Sequence, residues 1–85
     1  MDIELVRQTE SANDGQSIHL FYDDLVGLYL AFGLSAFYTT MVVDPIISYS
    51  DVMETPIVLM NRSQIAILRE SVKKLEHTPR SYYCF

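Results

Sequence analysis

Positive charge is scarce over most of this sequence. Between residues 1 and 61 the only Lys or Arg is Arg7, against Asp2, Glu4, Glu10, Asp14, Asp23, Asp24, Asp44, Asp51 and Glu54. A stretch of net −8 repels a phosphate backbone, so the body of the chain is not a nucleic-acid groove. Cysteine occurs once, as Cys84, which excludes an intramolecular disulfide framework and a cysteine-rich zinc fold. Glycine is limited to Gly15, Gly27 and Gly33. Their neighbours match neither the phosphate-loop, the dinucleotide fingerprint nor the serine-elbow pattern. The two histidines, His19 and His77, are far apart and do not supply a metal-ligand set. Length is short as well. Eighty-five residues would bury about 64% of an extended surface of about 14,000 Å², enough for one core and not two.

What is present describes a globular chain. Hydrophobic residues make up 49% and charged residues 20%, which does not fit the low-hydrophobicity, high-charge composition of disorder. The net charge of −5 is divided unevenly. Residues 62–85 carry Arg62, Arg69, Lys73, Lys74 and Arg80 against Glu70 and Glu76, a net of +3. This basic segment, 62–80, is one candidate nucleic-acid contact, with Arg69, Lys73 and Lys74 as its carriers. So few bases neutralise few phosphates, and the acidic body opposes them. The simpler expectation is that the segment packs beside the acidic part, in the same chain or across a dimer. An acidic surface suits a basic protein partner, or solubility alone.

Along the chain, Ile3 and Leu5 alternate with Asp2 and Glu4, a strand-like pattern over Met1–Gln8. The acidic opening does not read as a signal peptide. Asn13-Asp14-Gly15 marks a turn within a loop over 9–17. Ser17–Tyr22 alternates as a strand and Asp23-Asp24 turns the chain. Ile46–Ser50 and Ile57–Met60 are two further strands, joined through 51–56, with Pro56 at a strand start where its missing N–H is tolerated. The last element is a helix over about 62–77. Asn61 and Gln64 form a reciprocal capping box, Met60 and Ile65 a hydrophobic staple, and Ile65, Leu68, Val72 and Leu75 an apolar stripe widened by Ile67. Glu70 with Lys74 adds an i,i+4 pair, and Lys73, Lys74 and His77 complement the helix dipole. Thr78-Pro79 stops the helix. Residues 79–85 are rich in aromatics and are expected to dock on the domain or on a neighbouring subunit.

Residues 25–43 contain no charge at all. Their length lies within the roughly 17–25 residues of a transmembrane helix, and in a helix Gly27, Ala31, Ser35 and Thr39 would form a stripe of small residues. A single-span membrane protein is therefore one alternative reading. Against it, the flanks are Asp23, Asp24 and Asp44-Pro45, without basic anchors. Phe37–Val43 is also β-branched and aromatic, and a modest period-2 pattern favours two strands with Gly33 at the turn or bulge between them. A buried helix over part of 34–43 is the other soluble form.

No catalytic constellation emerges. Cys84 lacks a paired base, and Asp23-Asp24 and Asp51/Glu54 read as turns rather than as acid–base pairs or cation ligands. The tyrosines and phenylalanines lack the interleaved bases that a nucleic-acid stacking platform requires. The expected fold is α+β: a small antiparallel or mixed sheet of four to five strands with one C-terminal amphipathic helix packed on a face. Residues 1–78 form the domain and 79–85 its aromatic tail. One helix covers only part of such a sheet, so a homodimer is expected to bury the rest. The candidate self-association surface is Tyr29, Phe32, Phe37, Tyr38, Tyr82, Tyr83 and Phe85. The expected role is a non-catalytic, cytoplasmic protein-interaction or regulatory module without metal or cofactor.

Overall fold

The computed structural model describes residues 3–13, 15–72 and 81–84. Helix α1 (Ile3–Ser11) leads into strands β1 (Ser17–Asp23) and β2 (Leu28–Phe32), then helix α2 (Gly33–Thr40). Strands β3 (Ile46–Ser50) and β4 (Thr55–Met60), helix α3 (Arg62–Val72) and strand β5 (Ser81–Cys84) follow. The architecture is α+β. One five-stranded mixed sheet has the order β3-β4-β2-β1-β5, with β5 parallel to β1 and the other neighbours antiparallel. The C-terminal amphipathic helix packs on this sheet as expected. Two more helices accompany it.

Each face of the sheet carries its own apolar cluster. Ile18, Leu20, Ala31, Val58 and Met60 meet Ala36 of α2 and Ile65, Leu68 and Val72 of α3 on one face. On the other, Phe21, Leu30 and Phe32 meet Val6 of α1, with Met53, Ile57 and Leu59 packed around them. The two sets alternate along β1, β2 and β4, the period of 2 that a pleated strand imposes.

Three expectations are corrected. Residues 3–8 are helical, not extended. The Ile3/Leu5 alternation spans too few residues to outweigh the spacing of Ile3, Val6 and Glu10, which turns one face of α1 inward while Leu5 remains exposed. Gly33 does not join two strands. With φ of 56° it turns the chain directly from β2 into α2. Phe37–Thr40 is helical despite its strand-favouring composition. Thr39 and Thr40 donate their hydroxyls to the carbonyls of Ser35 and Phe37, and Thr39 is fully buried. Consequently 25–43 is a turn, a strand, a helix and a turn, and Gly27, Ala31, Ser35 and Thr39 do not form one stripe. Among the described residues no helix is long and apolar enough to cross a membrane.

The α3 N-terminus matches its sequence pattern in detail. Gln64 N–H donates to Asn61 Oδ1 at 2.9 Å and Asn61 N–H to Gln64 Oε1 at 3.0 Å. Met60 and Ile65 are both buried beside this box. The expected end of the helix at 77, the Glu70–Lys74 pair, His77 and Thr78-Pro79 involve residues outside those described. Within the 79–85 tail, Ser81–Cys84 lies in parallel register with Ser17–Leu20, and residues 79, 80 and 85 lie outside those described.

Candidate interaction surface

Two features stand out from the packing: a knot of half-buried polar groups around the buried Ser35 and an uncovered sheet edge. The knot joins α1 to the start of α2. Phe32, at the N-cap of α2, offers no side-chain cap. The Glu10 carboxylate takes that role from 25 positions away, accepting Ser35 N–H at 3.1 Å on one oxygen and Ser35 Oγ–H at 2.6 Å on the other. A carboxylate at a helix N-terminus also complements the helix dipole. Ser35 Oγ accepts in turn from His19 N–H at 2.9 Å and Asn13 Nδ2 at 3.2 Å. Its single proton and both lone pairs are therefore engaged. With Ser35 wholly buried, this hydroxyl acts as a structural staple rather than as a nucleophile. Beside the knot lies a cavity of about 260 Å³ bounded by Arg7, Glu10, Phe32, Leu34, Met53 and Thr55. Among the described residues no three His, Cys, Asp or Glu side chains converge as a metal site.

One of the two sheet edges is β3. Its inner side pairs with β4, and among the described residues its outer side has no strand neighbour. Its sequence, Ile46-Ile47-Ser48-Tyr49-Ser50, contains no charge, proline or glycine. Native edges are usually blunted by a lysine, a proline or a bulge, and this one has none of these. Ile46, Ile47 and Tyr49 are 64%, 65% and 57% exposed. Ile47 lies opposite Val58 and Tyr49 opposite Pro56, so both side chains stand on the face that α2 covers. Between α2 and β3 runs an apolar groove of about 200 Å³ lined by Ala36, Phe37, Thr40, Ile47, Pro56 and Val58.

The aromatic residues singled out from the sequence divide into two groups. Phe32 is in the core at 3% exposure, where it meets Phe21 edge-on at a centroid distance of 6.0 Å. Tyr29, Tyr38 and Tyr82 are half-buried against the larger cluster. Tyr82 also lies under the Arg69 guanidinium, 5.4 Å from the ring centroid, and hydrogen-bonds with it. Tyr83 stacks on His19 at 5.3 Å. Phe37 alone of this set reaches the β3 groove, and Phe85 lies outside the described residues. Arg62 and Arg69 are exposed on α3, whereas Lys73, Lys74 and Arg80 lie outside the described residues.

Sequence reasoning placed β3 but did not single out Ile46, Ile47 or Tyr49 as surface. Their signal was an uncharged strand flanked by Asp44-Pro45 and the 51–54 turn, which reads the same for a core strand. Comparison with protein-family models, curated proteins and solved structures finds no match to this chain.

Proposed function

We propose that this chain is a non-catalytic protein-interaction or regulatory module that works as a small acidic homodimer in the cytoplasm. One observation carries the reading. Among the described residues, an uncharged edge strand stands unpaired on its outer side beside an apolar groove, with Ile46, Ile47, Tyr49 and Phe37 exposed. Exposed apolar surface of this kind marks association sites. The acidic balance of the chain, −5 overall, favours a basic protein as the further partner, docking on surface away from that edge. The cytoplasmic placement draws only on the use of a single cysteine.

The test is sedimentation velocity from low micromolar to about 100 μM, a range set by the affinity of interfaces of modest size. A concentration-dependent monomer–dimer shift that Ile47→Lys abolishes supports the reading. A monomer throughout removes it.

A further inference from the structure

The geometry points to the occupant of the β3 edge: β3 of a second copy, antiparallel about a two-fold axis at Ser48, with each Tyr49 ring seated in the other copy's Phe37–Ile47 groove. This inference rests on the homodimer reading above and specifies its interface.

The ladder fixes which backbone groups are available. Pro56 has no N–H, so the Tyr49–Pro56 pair cannot form the two-bond ring of a hydrogen-bonded antiparallel pair. Taking it as a non-hydrogen-bonded pair, alternation along the ladder turns the N–H and C=O of Ile47 and Tyr49 to the free edge. A two-fold at Ser48 pairs Ile47 with Tyr49 of the second copy, and Tyr49 with Ile47, so all four residues exchange hydrogen bonds. Moving the axis to Ile47 would require an N–H from Pro45. Moving it to Tyr49 would extend the ladder into the turn at 51–54.

The side chains agree with this register. Paired residues share a face, so Tyr49 of one copy lies beside Ile47 of the other, at the mouth of the groove. An apolar cavity of about 150 Å³ holds a benzene ring, and this groove has about 200 Å³. A two-fold axis confronts every residue near it with its own copy, which only an uncharged strand tolerates well. The nearest charges are Asp44 and Asp51, at opposite ends of β3. The antiparallel arrangement brings the Asp44 end of one copy towards the Asp51 end of the other, a repulsion that salt screens.

The area is adequate. Phe37 and Tyr49, at 59% and 57% exposure, each offer on the order of 100 Å². With Ile46, Ile47 and the strand backbone, the surface lost reaches roughly 600 Å² per copy, at the lower limit for a specific complex. The expected dimer is weak and reversible.

Cysteine cross-linking in a Cys84→Ser background tests the axis. Ser48→Cys places two thiols opposite each other in a non-hydrogen-bonded pair, at a Cα separation of about 4.5 Å that a disulfide spans. Mild oxidation should give a covalent dimer. Ser50→Cys faces residue 46 of the other copy and should not cross-link. Tyr49→Ala should weaken the dimer about tenfold or more, as removal of an aromatic anchor does, without changing the circular dichroism spectrum. Raised salt should tighten it. If the chain sediments as a dimer but Ser48→Cys fails to cross-link, or Ser50→Cys cross-links as well, this pairing is overturned and the homodimer stands. A monomer at every concentration overturns both and leaves the edge to a different protein.

Discussion

Glu10 and Ser35 are joined by two hydrogen bonds, one to the backbone N–H and one to the side-chain hydroxyl, at 3.1 and 2.6 Å. This contact fastens α1 to α2 and replaces the N-cap that Phe32 cannot provide. Removing the carboxylate leaves a buried hydroxyl and a helix N–H without their acceptor. Glu10→Ala should therefore lower stability by about 1.5–3 kcal/mol, the range for hydrogen bonds to a charged group. Glu10→Gln keeps one acceptor but sets an amide N–H near a donor, and should cost less than the alanine. Urea unfolding of both variants and of Ser35→Ala, combined as a double-mutant cycle, should show strong coupling. Additive losses would mean that the two residues act separately.

The two β-hairpins use four-residue loops that share one backbone feature. Asp23 and Leu28 close the first, and Ser50 and Thr55 the second. The fourth loop residue is left-handed in both: Gly27 at φ 69° and Glu54 at φ 53°. Only glycine adopts that region without a Cβ penalty. Glu54→Gly should therefore raise stability, by about 0.5–1 kcal/mol after the extra freedom of the unfolded chain is subtracted. Gly27→Glu should do the reverse. Thermal melts of the two variants with opposite signs would establish the equivalence.

Asn61 and Gln64 cap α3 reciprocally, and Gln64 Nε2 also donates to the Asp44 carbonyl at 2.9 Å, tying the helix start to the segment before β3. Asn61→Ala should cost about 1 kcal/mol, or roughly 4–8 °C in Tm for a chain of this size. Asn61→Ser should recover most of the loss, because serine accepts the same N–H.

Leu68 and Ile67 are neighbours in α3 with opposite surroundings. Leu68 is wholly buried in the larger cluster, and Ile67 is 54% exposed. Leu68→Ala should cost about 2–5 kcal/mol through lost burial and the cavity left behind. Ile67→Ala should stay within about 1 kcal/mol of the parent, in line with most surface substitutions. Equal losses in chemical denaturation would place Ile67 in an interface.

Local chemistry was legible in the sequence, and long-range chemistry was not. The α3 start could be read from Asn61, Gln64 and the Ile65–Leu68–Val72 spacing because a capping box and an amphipathic stripe are complete within a few residues. β1, β3 and β4 were legible for the same reason. The start of α2 was not. Its N-terminal partner, Glu10, lies 25 positions away, and the local composition of Phe37–Val43 favours a strand. Ile67 shows the limit of periodicity: it widens the apolar stripe on paper and faces solvent in the fold. The β3 surface was hidden for a related reason. An apolar strand reads alike whether its neighbour is the same chain or another.

The parallel pairing of β5 with β1 has a kinetic consequence. Ile18 and Tyr82 are register partners 64 positions apart, whereas Ser50 and Thr55 close a hairpin directly. Closing the longer segment costs about 2 kcal/mol more chain entropy than closing the hairpin. The four antiparallel strands can assemble before this debt is met. The outermost strand then behaves as a separable flap, seated last and released first. Amides of β1 that point towards it should exchange with solvent through a partial opening, well below the energy needed to melt the sheet centre.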